Sequence, residues 1–170
     1  HILHVSALTE DVDVISEKLF SLSTNGGNEY CGQVIKSALN QLAWSASHAD
    51  LKMIFIAGNE PFTMGSVSYE LACGAAKEKG VVVNTIYCGD LNDGIALSWK
   101  RGAELTDGAF MSIEQNSKTV YVPTPYDNQI ATLNDKLNAT YVYYGATGES
   151  RKEQQLLQDK NAASYGLANV

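Results

Sequence analysis

Few residues in this chain have the type and spacing to do chemistry. Asp90-Leu91-Asn92-Asp93-Gly94 approaches a calcium loop, in which carboxylate and amide oxygens alternate around a hard cation. It falls one residue short of Asp-x-Asn-x-Asp-Gly and lacks the closing Glu, so it reads as a turn feeding a helix N-terminus. His1, His4 and His48 stand apart from any Gly-x-Ser-x-Gly elbow, and His1 and His4 would point to opposite faces of a strand. Gly74 to Gly80 is followed by no Gly-Lys-Ser/Thr and is not a phosphate loop. Cys31, Cys73 and Cys88 form no Cys-x-x-Cys pair, which disfavours structural zinc. They read as three buried thiols, with one disulfide plus a free thiol as the alternative.

The elements that would position these residues follow from periodicity. Ile2–Ala7 reads as a strand, and Thr9 as the N-cap of a helix carrying Val12, Ile15, Leu19 and Leu22 on one face. A loop at Thr24–Asn28 precedes a helix from Cys31 to Ser45. Leu51–Ala57 is apolar on both faces, the pattern of a buried parallel strand, and Gly58-Asn59-Glu60-Pro61 ends it. A helix over Val67–Lys79 closes at Gly80, and Val81–Cys88 forms the next strand. A helix over Ile95–Leu105 turns Trp99 inward, and Ala109–Ile113 is a further strand. These three strands are expected parallel and adjacent, since right-handed crossovers leave few alternatives. Beyond them come a short β-like run at Thr119–Val122, a helix at Asp127–Leu137, the β-prone Tyr141-Val142-Tyr143-Tyr144, a polar helix at Glu149–Lys160 and a weakly ordered tail.

Composition narrows the function classes. At 170 residues with 45% hydrophobic content, the chain can build a full-sized core. A net charge of −7 with twelve scattered Lys and Arg argues against nucleic acid, which needs clustered cations. The longest apolar runs, Met53–Ala57 and Val81–Val83, are too short to span a bilayer. Asn138-Ala139-Thr140 is a glycosylation sequon by spelling alone.

Ordered segments carry a likeness across most of the chain. Leu51 to Pro61, Cys73 to Gly80 and Asn84 to Gly89, with Leu8 to Asp11, Gly26 to Glu29, Trp44-Ser45 and Thr124 to Tyr141 around them, resemble a von Willebrand factor A domain of an uncharacterised bacterial branch. The resemblance implies a Rossmann-like three-layer α/β/α fold with a mainly parallel sheet over residues 1–145. Residues 146–170 would form a C-terminal helical extension and tail. It implies a ligand site at the carboxyl edge of the sheet, where open parallel sheets bind, and a periplasmic, secreted or envelope-associated protein.

In that family a divalent cation is held by Asp-x-Ser-x-Ser, a Thr from a second loop and an Asp from a third. Here Asp-x-Ser-x-Ser is missing, the second loop Gly26–Tyr30 has no Thr, and Gly58 stands where the Asp is usual. Neither magnesium nor another cofactor is therefore expected. Asn28, Glu29, Asn59, Glu60 and Asp90 are the candidate binding residues of the ligand-edge loops. The plainer reading has Asn59 capping a turn and Glu60 solvated.

The family's first two strands also have no counterpart, because His1–Ala7 matches its third strand. His1–Ala7 and Leu51–Ala57 would then flank a gap, to be closed by direct pairing, by strand exchange in a homodimer, or by further residues of a parent protein. The expected function is binding of a protein partner, without catalysis. The alternatives are a hydrolase or nucleotide-binding α/β enzyme whose motif lies upstream of residue 1, and a purely structural domain.

Overall fold

A computed structural model of the chain describes residues 2–23, 27–114 and 121–166. The architecture is mixed α/β, with a three-stranded parallel sheet and seven helices among those residues. The chain divides into two compact units, one made of residues 1–8 and 25–117, the other of residues 9–24 and 118–170. In the second unit an early helix clusters with the C-terminal ones.

The first unit holds α2 (Cys31–Gln41), β1 (Lys52–Gly58), α3 (Tyr69–Glu78), β2 (Val81–Tyr87), α4 (Leu91–Ala96), α5 (Trp99–Glu104) and β3 (Phe110–Ser112). The strands run parallel in the order β1-β2-β3, with Lys52 opposite Val81 and Thr85 opposite Phe110. The expected parallel, adjacent arrangement is what the structure has. Ile56, Val81, Val83 and Tyr87 meet Ile35, Leu39, Cys73, Ala76 and Trp99 in one core. That core lies on one sheet face, where Thr85 Oγ1 donates to the Trp99 carbonyl at 2.8 Å.

The opposite face overturns the expectation that β1 is buried on both sides. Met53 is 41% exposed and Phe55 60%, because the described helices of this unit place their apolar stripes on the other face. Ile2–Ala7 is likewise not a strand. A strand exists only through its ladder, and β1 pairs with β2 alone among the described residues; of the three expected ways to close the gap, direct pairing with Ile2–Ala7 is not formed.

Helix limits move for identifiable reasons. α2 stops at Gln41 rather than Ser45, since Leu42 turns extended and the Trp44 indole donates to the Ala38 carbonyl at 2.9 Å. The single helix expected over Ile95–Leu105 is two. Ser98 sits at φ 71°, and the Leu97 carbonyl is taken by the Phe62 amide at 3.0 Å. Gly80, at φ 67°, closes α3 as expected.

The second unit comprises α1 (Val12–Phe20), α6 (Asp127–Thr140) and α7 (Gly148–Ala163). Asp11, not Thr9, caps α1, its Oδ1 accepting from the Asp13 and Val14 amides at 3.2 and 3.3 Å. Thr9 instead accepts from the Asp11 amide, one turn outside the helix. Thr119 lies outside the described residues, and neither Tyr121-Val122 nor Tyr141–Tyr144 is assigned as a strand. The helices are joined by polar bonds: Gln154 donates to Glu17 at 2.9 Å, and Asn134 and Asn138 donate to Asp159 at 3.0 and 2.6 Å.

The entry to α6 is fixed by Asp127, which is 6% exposed. Its carboxylate accepts from the Thr124 amide at 2.9 Å and from the Thr124 and Tyr121 hydroxyls. The Thr124 hydroxyl first, then the Tyr121 phenol and the Thr124 amide, hold this carboxyl below its usual range. A depressed folded value gives stability that is complete above the unfolded carboxyl value of about 4 and is lost as pH falls through the lower folded one. Asp127→Asn is therefore expected to lower the melting temperature at pH 7. The gap to the parent should narrow in melts recorded at successively more acid pH, and a constant gap would refute this role.

Candidate functional site

The carboxyl ends of β1 and β2 stand together, with the Cys88 amide donating to the Gly58 carbonyl at 2.7 Å. The loops leaving these ends carry Asn59-Glu60 and Asp90, and the segment entering α2 brings Asn28-Glu29 beside them.

Glu29 makes the junction. Its Oε2 accepts from the Asn59 amide at 2.9 Å and the Glu60 amide at 3.2 Å. Gly58 leaves the room for this, because a Cβ there would lie 1.9 Å from that oxygen. Charge-assisted bonds to backbone amides are among the stronger hydrogen bonds, and they turn Glu29 into a clamp across the turn after β1. Asn28 is directed elsewhere, its Nδ2 donating to the Tyr30 hydroxyl at 3.1 Å. Asp90 caps α4, its Oδ1 accepting from the Asn92 and Asp93 amides at 2.8 and 3.4 Å, as the turn reading expected. Of the five sequence candidates, then, Glu29, Asn59 and Glu60 are directly joined, while Asn28 and Asp90 flank them.

Two residues outside the five candidates complete the site: Trp99, which the sequence turns inward, and Tyr87, which sequence reasoning passed over. The Trp99 indole donates to the Glu60 carbonyl at 2.9 Å, so the core holds the loop from beneath. Tyr87 is 6% exposed. Burial first, then the carboxylates of Asp93, Glu60 and Asp90, push its phenol above the ordinary value. Beside the clamp a cavity of about 380 Å³ is walled by Asn28, Glu29, Tyr30, Cys31, Val34, Ile56 and Ala57, with Ile2 and Leu3. Its mixture of an apolar wall and a few convergent polar groups is the usual make-up of a recognition site. The glycine ending an apolar strand and the aromatic at the start of α2 were the sequence signals available for it.

Among the described residues, no group of three or more His, Cys, Asp or Glu side chains converges to hold a metal ion, and no helix is long and apolar enough to cross a membrane. All three cysteines are unpaired. Burial, then the nearby Glu29 charge, pushes the Cys31 thiol up to about 12, and burial pushes Cys73 up to about 11. The thiolate is the reactive form, so in the native chain a thiol reagent at pH 8 should modify half-buried Cys88 first. Mass spectrometry of the partly labelled protein checks this; equal labelling of Cys31 would contradict it.

Comparison with known proteins returned no match: no family model, no curated protein and no solved structure matches this chain.

Proposed function

We propose that the chain is a non-catalytic, protein-binding module of the von Willebrand A type, with a degenerate metal position, that meets its partner at the carboxyl edge of its parallel sheet. The observation that carries this reading is the Glu29 clamp. At Gly58, the position the resemblance assigns to a metal-binding Asp, the space is taken by Glu29, and the oxygen facing it is spent on the Asn59 and Glu60 amides. A carboxylate engaged this way orders a loop and is poorly placed to repay the dehydration of magnesium. The ordered turn, the cavity beside it and the Asp90 cap of α4 present a shaped surface where open parallel sheets bind.

The test places a photo-crosslinking residue at Glu60 and, as a control, at exposed Arg101 on α5. A protein adduct specific to position 60, competed by unlabelled chain and lost on Glu29→Ala, is the expected result. Adducts that are identical at both positions, or indifferent to Glu29→Ala, would refute binding at this edge. Micromolar magnesium uptake by calorimetry would refute the degenerate metal position.

A further inference from the structure

A cavity of about 400 Å³ lies away from that edge, in a groove between α2 and α3. The two helices run side by side in the same direction. A Cβ on Gly32, near the start of α2, would touch the backbone of Val67 to Tyr69 at the start of α3, whereas Lys79 Nζ at the far end donates to the Leu39 carbonyl at 3.0 Å. From Ser68 to Lys79 the groove extends about 16 Å, some three helical turns.

Its chemistry is one-sided. Leu39, Leu71, Ala72 and Ala75 provide an apolar trough, and Leu71 is 77% exposed, far more than a side chain serving only the core. Lys36 and Lys79 are the charged residues on its wall, and no Asp or Glu lines it. In a chain of net charge −7, two lysines without a lining carboxylate make a local inversion of sign. Lys36 makes no ion pair among the described residues, and Lys79 is held by a carbonyl rather than a carboxylate.

We propose that this groove receives an amphipathic α-helix of a partner protein, with apolar residues at i, i+4 and i+7 and Asp or Glu beside them. A trough between two parallel helices, about three turns long, suits the apolar stripe of a third helix. The lysines select an acidic partner and disfavour a basic one.

The probe is a fluorescent, hydrocarbon-stapled helical peptide of about fourteen residues with Leu at those positions and Glu on the flanks. A second peptide carries Lys in place of Glu. Anisotropy on the full chain should show the acidic peptide bound and the basic one at least about tenfold weaker, a preference that shrinks as salt rises. Lys36→Glu should invert that preference, and Leu71→Ser should weaken the acidic peptide about tenfold. Both positions are exposed, and an unchanged melting curve verifies the fold of each variant. Equal affinity for the two peptides, or no effect of Leu71→Ser, would overturn the proposal. So would dodecanoate displacing the peptide at lower concentration, which gives the groove to a small amphiphile. Self-association abolished by Leu71→Ser would give it to a second copy.

Discussion

Trp99→Ala should destabilise the first unit by about 3–5 kcal/mol, the largest loss expected from any single truncation here. Trp99 is fully buried, packs edge-on against Phe62 at 4.9 Å and tilted against Tyr87 at 5.8 Å, and holds the Glu60 carbonyl through its indole. Removing it opens a cavity where α5 crosses β2, and it releases the turn after β1 at the same time. Trp99→Phe separates these effects: the ring is largely kept, and losing the indole hydrogen bond should cost about 1 kcal/mol. Urea unfolding followed by circular dichroism checks both. Equal midpoints for the Ala variant and the parent would show that Trp99 is not the keystone of the core.

Trp99 also shows what was legible in the sequence. A lone Trp between two β-rich runs reads inward from pattern alone, and the alternation of strand and helix over residues 51–113 predicted three parallel, adjacent strands, as the sheet has them. Patterning failed where a tertiary contact decides the backbone. The break at Ser98 exists because Phe62, 36 residues earlier in the chain, claims the Leu97 carbonyl. Nothing local in Ile95–Leu105 announces that. β1 misleads in another way: an apolar run describes what a strand can bury, whereas Met53 and Phe55 remain exposed where no described helix covers them. The five candidate site residues were read from loop position. Loop position brought Glu29 to Asn59 and Glu60, but it carried no information on which partner each side chain would take. Asn28 found Tyr30, two residues away, and Asp90 found its own helix.

Gly58→Asp, which supplies the carboxylate that the proposed von Willebrand A reading would need at this turn, should destabilise the fold by about 1–3 kcal/mol and gain no magnesium affinity. Any Cβ at position 58 would stand 1.9 Å from Glu29 Oε2 and 2.6 Å from its carboxyl carbon, so the Glu29 side chain has to leave. The Asn59 and Glu60 amides then lose their acceptor, and the incoming charge joins Glu60 and Asp90 near the buried phenol of Tyr87. The Asn59 amide can turn to water because that residue is exposed; Glu60 is half-buried and tied to Trp99, and its share of the cost is the larger one. Gly58→Ala carries the steric part without the charge and should be milder than Gly58→Asp. In the double variant Gly58→Asp, Glu29→Ala the collision is gone, so it should be more stable than the sum of the two single losses by about 1 kcal/mol. Additive losses would mean that Gly58 and Glu29 do not share one space. Tight magnesium binding by Gly58→Asp would mean that this edge can hold a cation once a carboxylate stands at position 58, against the expected result.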